Sequence, residues 1–454
     1  MIELNEIVEA EEARKNSGNE HASKISNGHS FSKLTNRLRV ELITDDKEFE
    51  AIAVEWTRLV EKPEVKATVF QTYEWQHGWW SFFSKGKKPH IITIWDSKKL
   101  VGIIPFFEEN ISLFGLYQFK RLKLIGGEIS GAGGQFSRYS PSDYLDIIID
   151  SDYKNQVREL LCSYILRGQA YFDEIELSEL SDQGVFINDI LPALEAANLT
   201  VVKTKGEMCP GISLPNSLDA YMDDLDGKVR YQLRYSKRAV TEKELFSVKN
   251  VSDENELDSA FNHFINLHQK RWNMQGYPGI FHNQKFEDFL KITAGKFLKK
   301  GILKFTLAFD NNEKCIAVDF AFTFKDKVYD YQKAFDIESD LAKYSPGKSL
   351  FYFMLEDAIN KDMNYLDLMR GDERYKMKVT NEYSQNWKIS IPSFSRLNGL
   401  KYKFFQLHQR LNNLFNRIAL EFVLIQVHQH QFGKLKFIPN YMSFIKERLS
   451  EKLG

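Results

Sequence analysis

The sequence predicts an α/β protein in which one plan is used twice, and three observations carry that expectation. Strand-like and helix-like segments alternate along both halves of the chain. The stretch "IITIWDSKKLVGIIPFF" in the first half and "KFTLAFDNNEKCIAVDFAF" in the second share one order: strand, acidic turn, lysine, small residue, strand. "FDEIELSEL" and "YLDLMRGDE" correspond in the same way. At 454 residues the chain is also too long for one ordinary core.

The elements follow in order. Residues 1–36, polar and rich in Ser, Asn, Glu and Lys, read as a disordered leader. A first domain is expected over 37–207. It opens with a strand at Leu38–Ile43 and an acidic helix start at Asp45-Asp46. Strands follow at His90–Trp95, Leu100–Phe107, Tyr144–Ile149, Phe172–Leu177 and Leu199–Lys203, with helices at Tyr153–Arg167 and Val185–Ala197. The glycine-rich Gly126–Gly134 stretch reads as a loop. A second domain, 208–395, carries strands at Leu303–Phe309, Ile316–Phe324 and Lys327–Phe335, a helix from Pro346 to Asn360, and a strand at Tyr365–Met369. Residues 396–454 read as a basic helical tail, with Leu407, Leu411, Leu414, Phe415, Ile418 and Phe422 at helical spacing. Such a stripe packs on its own protein or lies peripherally on a membrane.

Bulk composition narrows the function. A formal net charge of -1 gives no electrostatic reason to expect DNA as a partner. Cys162, Cys209 and Cys315 are too scattered for a disulfide framework or a zinc pattern. His408, His428 and His430 have no ligand set beside them, so no metal is expected. No G-x-S-x-G elbow occurs. The N-terminus lacks an apolar signal region, and no apolar run nears the roughly 20 residues of a membrane span. A cytoplasmic protein is expected.

Chemistry concentrates between Tyr329 and Lys376. Ser345-Pro346-Gly347-Lys348-Ser349 opens a helix with an N-cap serine, a proline at the first position and a glycine where a ligand can approach the backbone. Unpaired amides and the helix dipole make that turn an anion site suited to a pyrophosphate, with Lys348 adding charge. A Walker A loop is excluded, because its first glycine would stand where Ala342 stands. Asp367 lies in an apolar strand and needs a partner, for which Arg370 and Lys376 are candidates. Asp319 shares a strand face with Cys315, Ala317, Ala321 and Thr323, a small-residue surface with room for a substrate. Lys228, Arg230, Arg234, Lys237 and Arg238 form a basic helix around Tyr231 and Tyr235, either a solvated face or a grip for an anionic substrate.

Across about residues 38–395 these motifs resemble the CelD-like and FemAB-like branch of the GNAT superfamily. The resemblance rests on "FQTYEWQHGWW", "LVGIIPFF", "KVRYQLRYSKR", "LHQKRW" with "PGIF", "YSPGKSL" and above all "LMRGDERYK". It implies two tandem GNAT-like folds with mixed, mostly antiparallel sheets, and transfer of an acyl group to an amine. The implied donor is acetyl-CoA. The acceptor class includes amino sugars and lipid- or nucleotide-linked cell-envelope precursors, with polysaccharide biosynthesis proteins as partners. FemAB-like aminoacyl-tRNA-dependent peptide transfer and an inactive scaffold are the alternatives. Lys376 matches an active-site lysine of FemAB-like enzymes, while Arg374 replaces the family's proline and is expected to loosen the turn. On this basis Asp372 and then Asp319 are the expected bases, and Arg370 and Lys376 stabilise negative charge. Ser345–Ser349 hold the donor, and Tyr331, Asp367, Tyr375 and Arg234 line the substrate. Replacing Lys376 by Ala is expected to cost more turnover than stability.

Overall fold

The computed structural model describes residues 38–393 except 116, 131–137, 169–170, 276 and 278, together with 400–411 and 414. The expected leader and most of the expected tail lie outside the described residues. The chain divides into two compact units. One takes the described residues up to 127, then 142–207 and 384–405; the other takes 128–141, 208–383 and the described residues from 406.

In the first unit β1 (Leu38–Ile43) is followed by α1 (Asp46–Ala51), α2 (Ala53–Val60) and α3 (Tyr73–Phe83). Asp45 caps α1 by accepting the Glu48 amide. The strands β2 (Lys87–Asp96), β3 (Lys99–Leu113) and β4 (Tyr117–Leu124) extend β1 into an antiparallel sheet. The expected strand at 144–149 shrinks to β5 (Ile148–Ile149), paired with β3. Tyr144 sits at φ +58°, and the buried Asp146 carboxylate takes the amides of Ile147, Val185 and Phe186 away from any ladder. Then come α4 (Lys154–Gly168) and β6 (Glu174–Ser181), which lies parallel to β4. The expected helix at 185–197 opens as a π-helical turn, Phe186–Ile190, before α5 (Leu191–Ala196).

The long strand β7 (Val202–Ser213) leads into the second unit, whose elements are α6 (Leu218–Asp224), α7 (Gly227–Thr241), β8 (Phe246–Asn250), α8 (Glu254–Met274) and α9 (Gln284–Lys299). They continue with β9 (Leu303–Asp310), β10 (Cys315–Phe324), β11 (Lys327–Phe335), α10 (Pro346–Asn360) and β12 (Tyr365–Asp367). The sheet order is β8-β9-β10-β11-β12-β7, antiparallel except for the β11–β12 pair. The final strand, β13 (Glu382–Pro392), pairs with β6 in the first unit. Each unit thus contains strand, crossover helix and parallel strand: β4-α4-β6 and β11-α10-β12. The expected duplication of one mixed, mostly antiparallel plan is present.

Two cores sandwich the second sheet. On one face Phe305 and Phe320 of the sheet meet Phe261 and Phe264 of α8, with ring centroids 5.3–6.1 Å apart. On the other, α10 lays Leu350 near Ala317 and Phe351 near Ala321. The small-residue face of β10 therefore receives helix side chains rather than standing open, a correction to the sequence expectation. The helical residues 400–411 put Phe405 flat on Phe119 of the first unit, centroids 4.2 Å apart.

His268 on α8 is buried, and its Nε2 accepts the Trp272 indole N–H at 3.0 Å. Burial draws its pKa down to about 4 from the ordinary 6.5. The unfolded chain then binds the extra proton first as pH falls. Stability supplied by neutral His268 should be present above about pH 6.5 and drain away towards pH 4. Urea unfolding of wild type and His268→Gln between pH 7 and 4.5 checks this: the variant should show the shallower pH dependence, and equal slopes would refute it.

Candidate active site

The register of β10 against β11 slips by one residue: Phe320 pairs with Gln332, but Phe322 pairs with Tyr329. Two steps along β10 match three along β11, which is a β-bulge in β11. In a regular strand Asp330 and Lys333 would point to opposite faces. The extra residue brings both to Asp319, whose partner in register is Lys333. Lys333 Nζ lies 2.6 Å from Asp330 Oδ2 and 3.5 Å from Asp319 Oδ2, and 4.8 Å from the ring centroid of Phe351.

Fully ionised, this buried trio would carry a net negative charge in low dielectric, which is costly. The cost falls on Asp319, only 2% exposed. Burial raises its pKa well above the carboxylate range; Lys333 opposes the rise and Asp330 adds to it. Burial pulls Lys333 the other way, but Asp319 and Asp330 outweigh it and hold the ammonium above its ordinary pKa. Both oxygens of Asp319 and Oδ1 of Asp330 accept no hydrogen bond among the described residues. They are buried acceptors with no donor among the described residues. Tyr375 is half exposed, yet its hydroxyl end lies among the same charges. Burial lifts its pKa, Lys333 works against that, and Asp330 reinforces it.

The cluster stands where two parallel strands part. β11 and β12 pair only from Lys327↔Tyr365 to Tyr329↔Asp367. Beyond that point the amides of Leu368 and Gly371 bond to Pro210 and Met208 of β7 instead. Asp330 is the next residue of β11, so the charged trio begins at the opening, at the carboxyl ends of the strands, where α/β sheets place their crevices.

From β11 the chain enters α10 through Ser345, which adopts φ +54° and makes no side-chain cap, contrary to its expected N-cap role. Free amides are fewer than the sequence implies. Ser345 donates to Ala342, both Lys348 and Ser349 donate to the Ser345 carbonyl, and Pro346 has no N–H. Within Ser345–Ser349 the Gly347 amide is the one left unpartnered among the described residues. A Cβ there would meet nothing nearer than Phe335 Cδ1 at 3.9 Å, so the backbone is open to approach. Ser349 is buried, and its hydroxyl donates to the Ser236 carbonyl. Lys348 Nζ donates to the neutral Gln232 Oε1 at 2.6 Å and has no ion pair among the described residues. Burial lowers its pKa, and Lys378 lowers it further. Neither Lys348 nor Lys378 makes an ion pair among the described residues, and the two ammonium groups repel one another. In the first unit, by contrast, Asp150 stands before α4 fully buried, 2.6 Å from Lys62 Nζ and 2.9 Å from Lys99 Nζ. There the chain's own carboxylate pairs with both lysines.

The turn after β12 distributes the remaining expected residues. Asp367 Oδ1 accepts the Met369 amide at 2.8 Å, so a backbone N–H is one partner that the sequence did not reveal. Met369 and Gly371 hold φ of +62° and +111°. Lys376, 4% exposed, closes this turn: its ammonium meets the carbonyls of Met369 and Arg370 at 3.2 and 2.6 Å and Glu373 Oε2 at 2.9 Å. An ammonium has three donors, and all three are committed here. Arg374 does not prevent closure, since the Lys376 amide bonds the Glu373 carbonyl at 2.8 Å. Arg370 donates to the Ser140 carbonyl and stands over the Tyr139 ring. Tyr331 is buried with its hydroxyl on the Pro141 carbonyl at 2.8 Å. Asp372 and Arg234 are exposed. The chain beyond Lys376 then lines a cavity of about 600 Å³ with Ile212, Tyr221, Val229, Gln232, Lys378 and Glu382.

Of the expected residues, the structure therefore gathers Asp319 and Tyr375 into one cluster and leaves Asp372 and Arg234 apart in solvent. Sequence reasoning missed Asp330, Lys333, Gln232 and Lys378. The i, i+3 spacing of Asp330 and Lys333 argues against a shared strand face unless a bulge is known.

Residues 227–377 match the family model described as an acetyltransferase (GNAT) domain. This stretch is a GNAT acyltransferase domain. It runs from α7 to the turn after β12 and encloses the charged trio, the open amide and Lys348. A solved structure shares the fold. FemX is 11% identical with a TM-score of 0.51, covering 77% of this chain and 97% of its own. Lower scores come from the C-terminal domain of a putative lysylphosphatidylglycerol synthetase of Agrobacterium fabrum (8%, 0.45, 79% and 96%) and a tandem GNAT protein from the clavulanic acid biosynthesis pathway (10%, 0.41, 78% and 99%). No curated protein matches in sequence. Among the described residues no group of His, Cys, Asp or Glu is arranged to hold a metal ion, and no helix is long and apolar enough to cross a membrane.

Lys376→Ala is expected to act on the fold of the turn, reversing the sequence expectation. It strips two carbonyls and a carboxylate of their donor, for a loss of about 2–4 kcal/mol. Denaturant unfolding reads this directly; an unchanged midpoint would contradict it.

Proposed function

We propose that the GNAT domain acetylates an amine with acetyl-CoA as donor, and that its chemistry is run by the bulge cluster. The observation that carries this reading is the buried Asp319–Lys333–Asp330 trio, with three unpartnered carboxylate oxygens at the opening between β11 and β12. An amine attacks a thioester only after shedding a proton, and a carboxylate of raised pKa is a competent acceptor near neutral pH. Asp319 takes that proton, and Asp330 and Lys333 set its affinity for it. This puts Asp319 ahead of Asp372 as the base. The amine nitrogen bonds to the acetyl carbonyl carbon, the carbon–sulfur bond breaks, and the leaving thiolate takes a proton. Tyr375, whose hydroxyl faces the same trio, is the donor, and the second proton that the nitrogen sheds as the amide forms restores it.

The donor diphosphate sits on the Gly347 amide with Lys348 and Lys378 as counter-charges. Lys376 and Asp367 position the turn that carries Arg370 and Tyr375. The acceptors in view are amino sugars and cell-envelope polysaccharide precursors. The cavity beside α6 and α7 offers an acceptor apolar walls together with Asp224, Lys228 and Glu382. Partners from polysaccharide biosynthesis and a cytoplasmic site of action belong to the same proposal.

Acetyl-CoA should raise the melting temperature of the wild-type protein, and Lys348→Ala should weaken binding about tenfold, as loss of a charged phosphate contact does. Asp319→Asn should fold, bind acetyl-CoA and lose 10²–10⁴-fold in turnover, roughly the share of a general base. Thiol release from acetyl-CoA with a panel of amino sugars and small amines measures it. Wild-type turnover in Asp319→Asn, or no thermal response to acetyl-CoA, would overturn the reading.

A further inference from the structure

The basic helix α7 carries a feature that acyl transfer as described does not use. Tyr231 and Tyr235 stack at 6.1 Å with 21° between their planes, and Tyr235 stacks on Tyr344 at 5.8 Å and 20°. The result is a three-ring ladder that ends at the residue before Ser345. Its outer rung is open: Tyr231 is 61% exposed. Cations edge the ladder, with Lys243 Nζ 5.5 Å from the Tyr235 and Tyr344 centroids and Lys343 Nζ 5.4 Å from Tyr344. Tyr231, Arg234, Tyr235 and Arg238 fall at i, i+3, i+4 and i+7, so they share one helix face.

Charge pairing along α7 is selective. Arg230 is held by Asp223 at 2.9 Å and Lys237 by Glu356 at 3.6 Å. Arg234 and Arg238, which flank the ladder, make no ion pair among the described residues and are exposed. Burying or pairing them would be the ordinary way to settle a structural face. Flat rings with unpaired guanidinium groups beside them suit a ligand with an aromatic plane and phosphates. The same helix supplies Gln232, which holds Lys348 at the proposed diphosphate site.

We propose that the Tyr231–Tyr235–Tyr344 ladder is a nucleobase platform. It takes the adenosine end of the acyl donor, and Arg234, Arg238 and Lys243 take the phosphate on its ribose. This rests on the proposed acyltransferase reading and deepens it by assigning the nucleotide end of the donor. An adenosine carrying a 5′-phosphate is shared by coenzyme A and by an RNA 3′ end, and the ribose 3′-phosphate belongs to coenzyme A alone, so the test separates the two sources.

Isothermal titration of the full chain with acetyl-CoA, adenosine 3′,5′-bisphosphate, 4′-phosphopantetheine and a short RNA ending in adenosine provides that test. Tyr231→Ala/Tyr235→Ala should weaken adenosine 3′,5′-bisphosphate at least tenfold and leave 4′-phosphopantetheine unchanged. Tyr231→Phe/Tyr235→Phe, which keeps the rings, should restore binding. Acetyl-CoA losing affinity in parallel assigns the platform to coenzyme A. The RNA binding instead, with steep salt dependence and loss in the alanine variant, assigns it to a nucleic-acid donor. If acetyl-CoA binds wild type and the alanine variant equally, and the RNA does not bind, the platform is refuted while the acyltransferase reading stands. If neither acetyl-CoA nor the RNA binds wild type, both fall.

Discussion

The second unit depends on one constraint: two carboxylates and an ammonium must share a dry space between a sheet and a helix. Asp319, Asp330 and Lys333 meet there because β11 carries one residue more than β10 along their shared ladder. Lys333 lies between the two acids, packed on Phe351 of α10. One positive charge cannot balance two negative ones, and burial denies water to the surplus. A raised affinity of Asp319 for a proton is the physical result. Holding and releasing a proton at that place is also what amide formation from an amine requires.

The surrounding architecture serves the trio. β12 turns away from β11 after three paired residues, which opens the sheet at Asp330. That turn takes positive φ at Met369 and Gly371 and is held by Lys376 from within, so Tyr375 is presented to the charges by a clamped loop. On the other side of the crossover, α10 begins with an open amide at Gly347 and an uncompensated Lys348. The first unit repeats the strand–helix–strand path but fills the corresponding position with Asp150 and its two lysines. One copy leaves its lysine without a carboxylate partner among the described residues, and the other pairs two lysines with its own Asp150.

Much of this was legible in the sequence. The strands of the second unit and α10 follow from alternation and from Pro346, and the family resemblance rests on motifs whose order survives in the fold. Asp319 could be singled out because a carboxylate in an apolar strand needs a reason. Its partners could not. Asp330 and Lys333 become neighbours only through a bulge, and a bulge is a property of two strands in register, invisible in either alone. Lys376 illustrates the opposite failure: its sequence context marks it for chemistry, while its contacts bind it to carbonyls that exist only once Met369 and Gly371 adopt positive φ. Ser345 was misread for the same reason, since an N-cap serine and a left-handed serine look identical in a string of letters. The closing of Tyr144–Ile149 into two strand residues turned on Asp146 capturing amides 39 and 40 residues away.

Carbon-13 NMR titration of the aspartate carboxyl groups, comparing wild type with Asp319→Asn and Asp330→Asn, tests that affinity most directly. A raised proton affinity predicts one wild-type carboxyl resonance that titrates well above pH 4 and disappears in Asp319→Asn. If Asp319 and Asp330 both titrate in the ordinary carboxylate range, with neither variant altering the other, the trio does not raise that affinity and the account fails at its base.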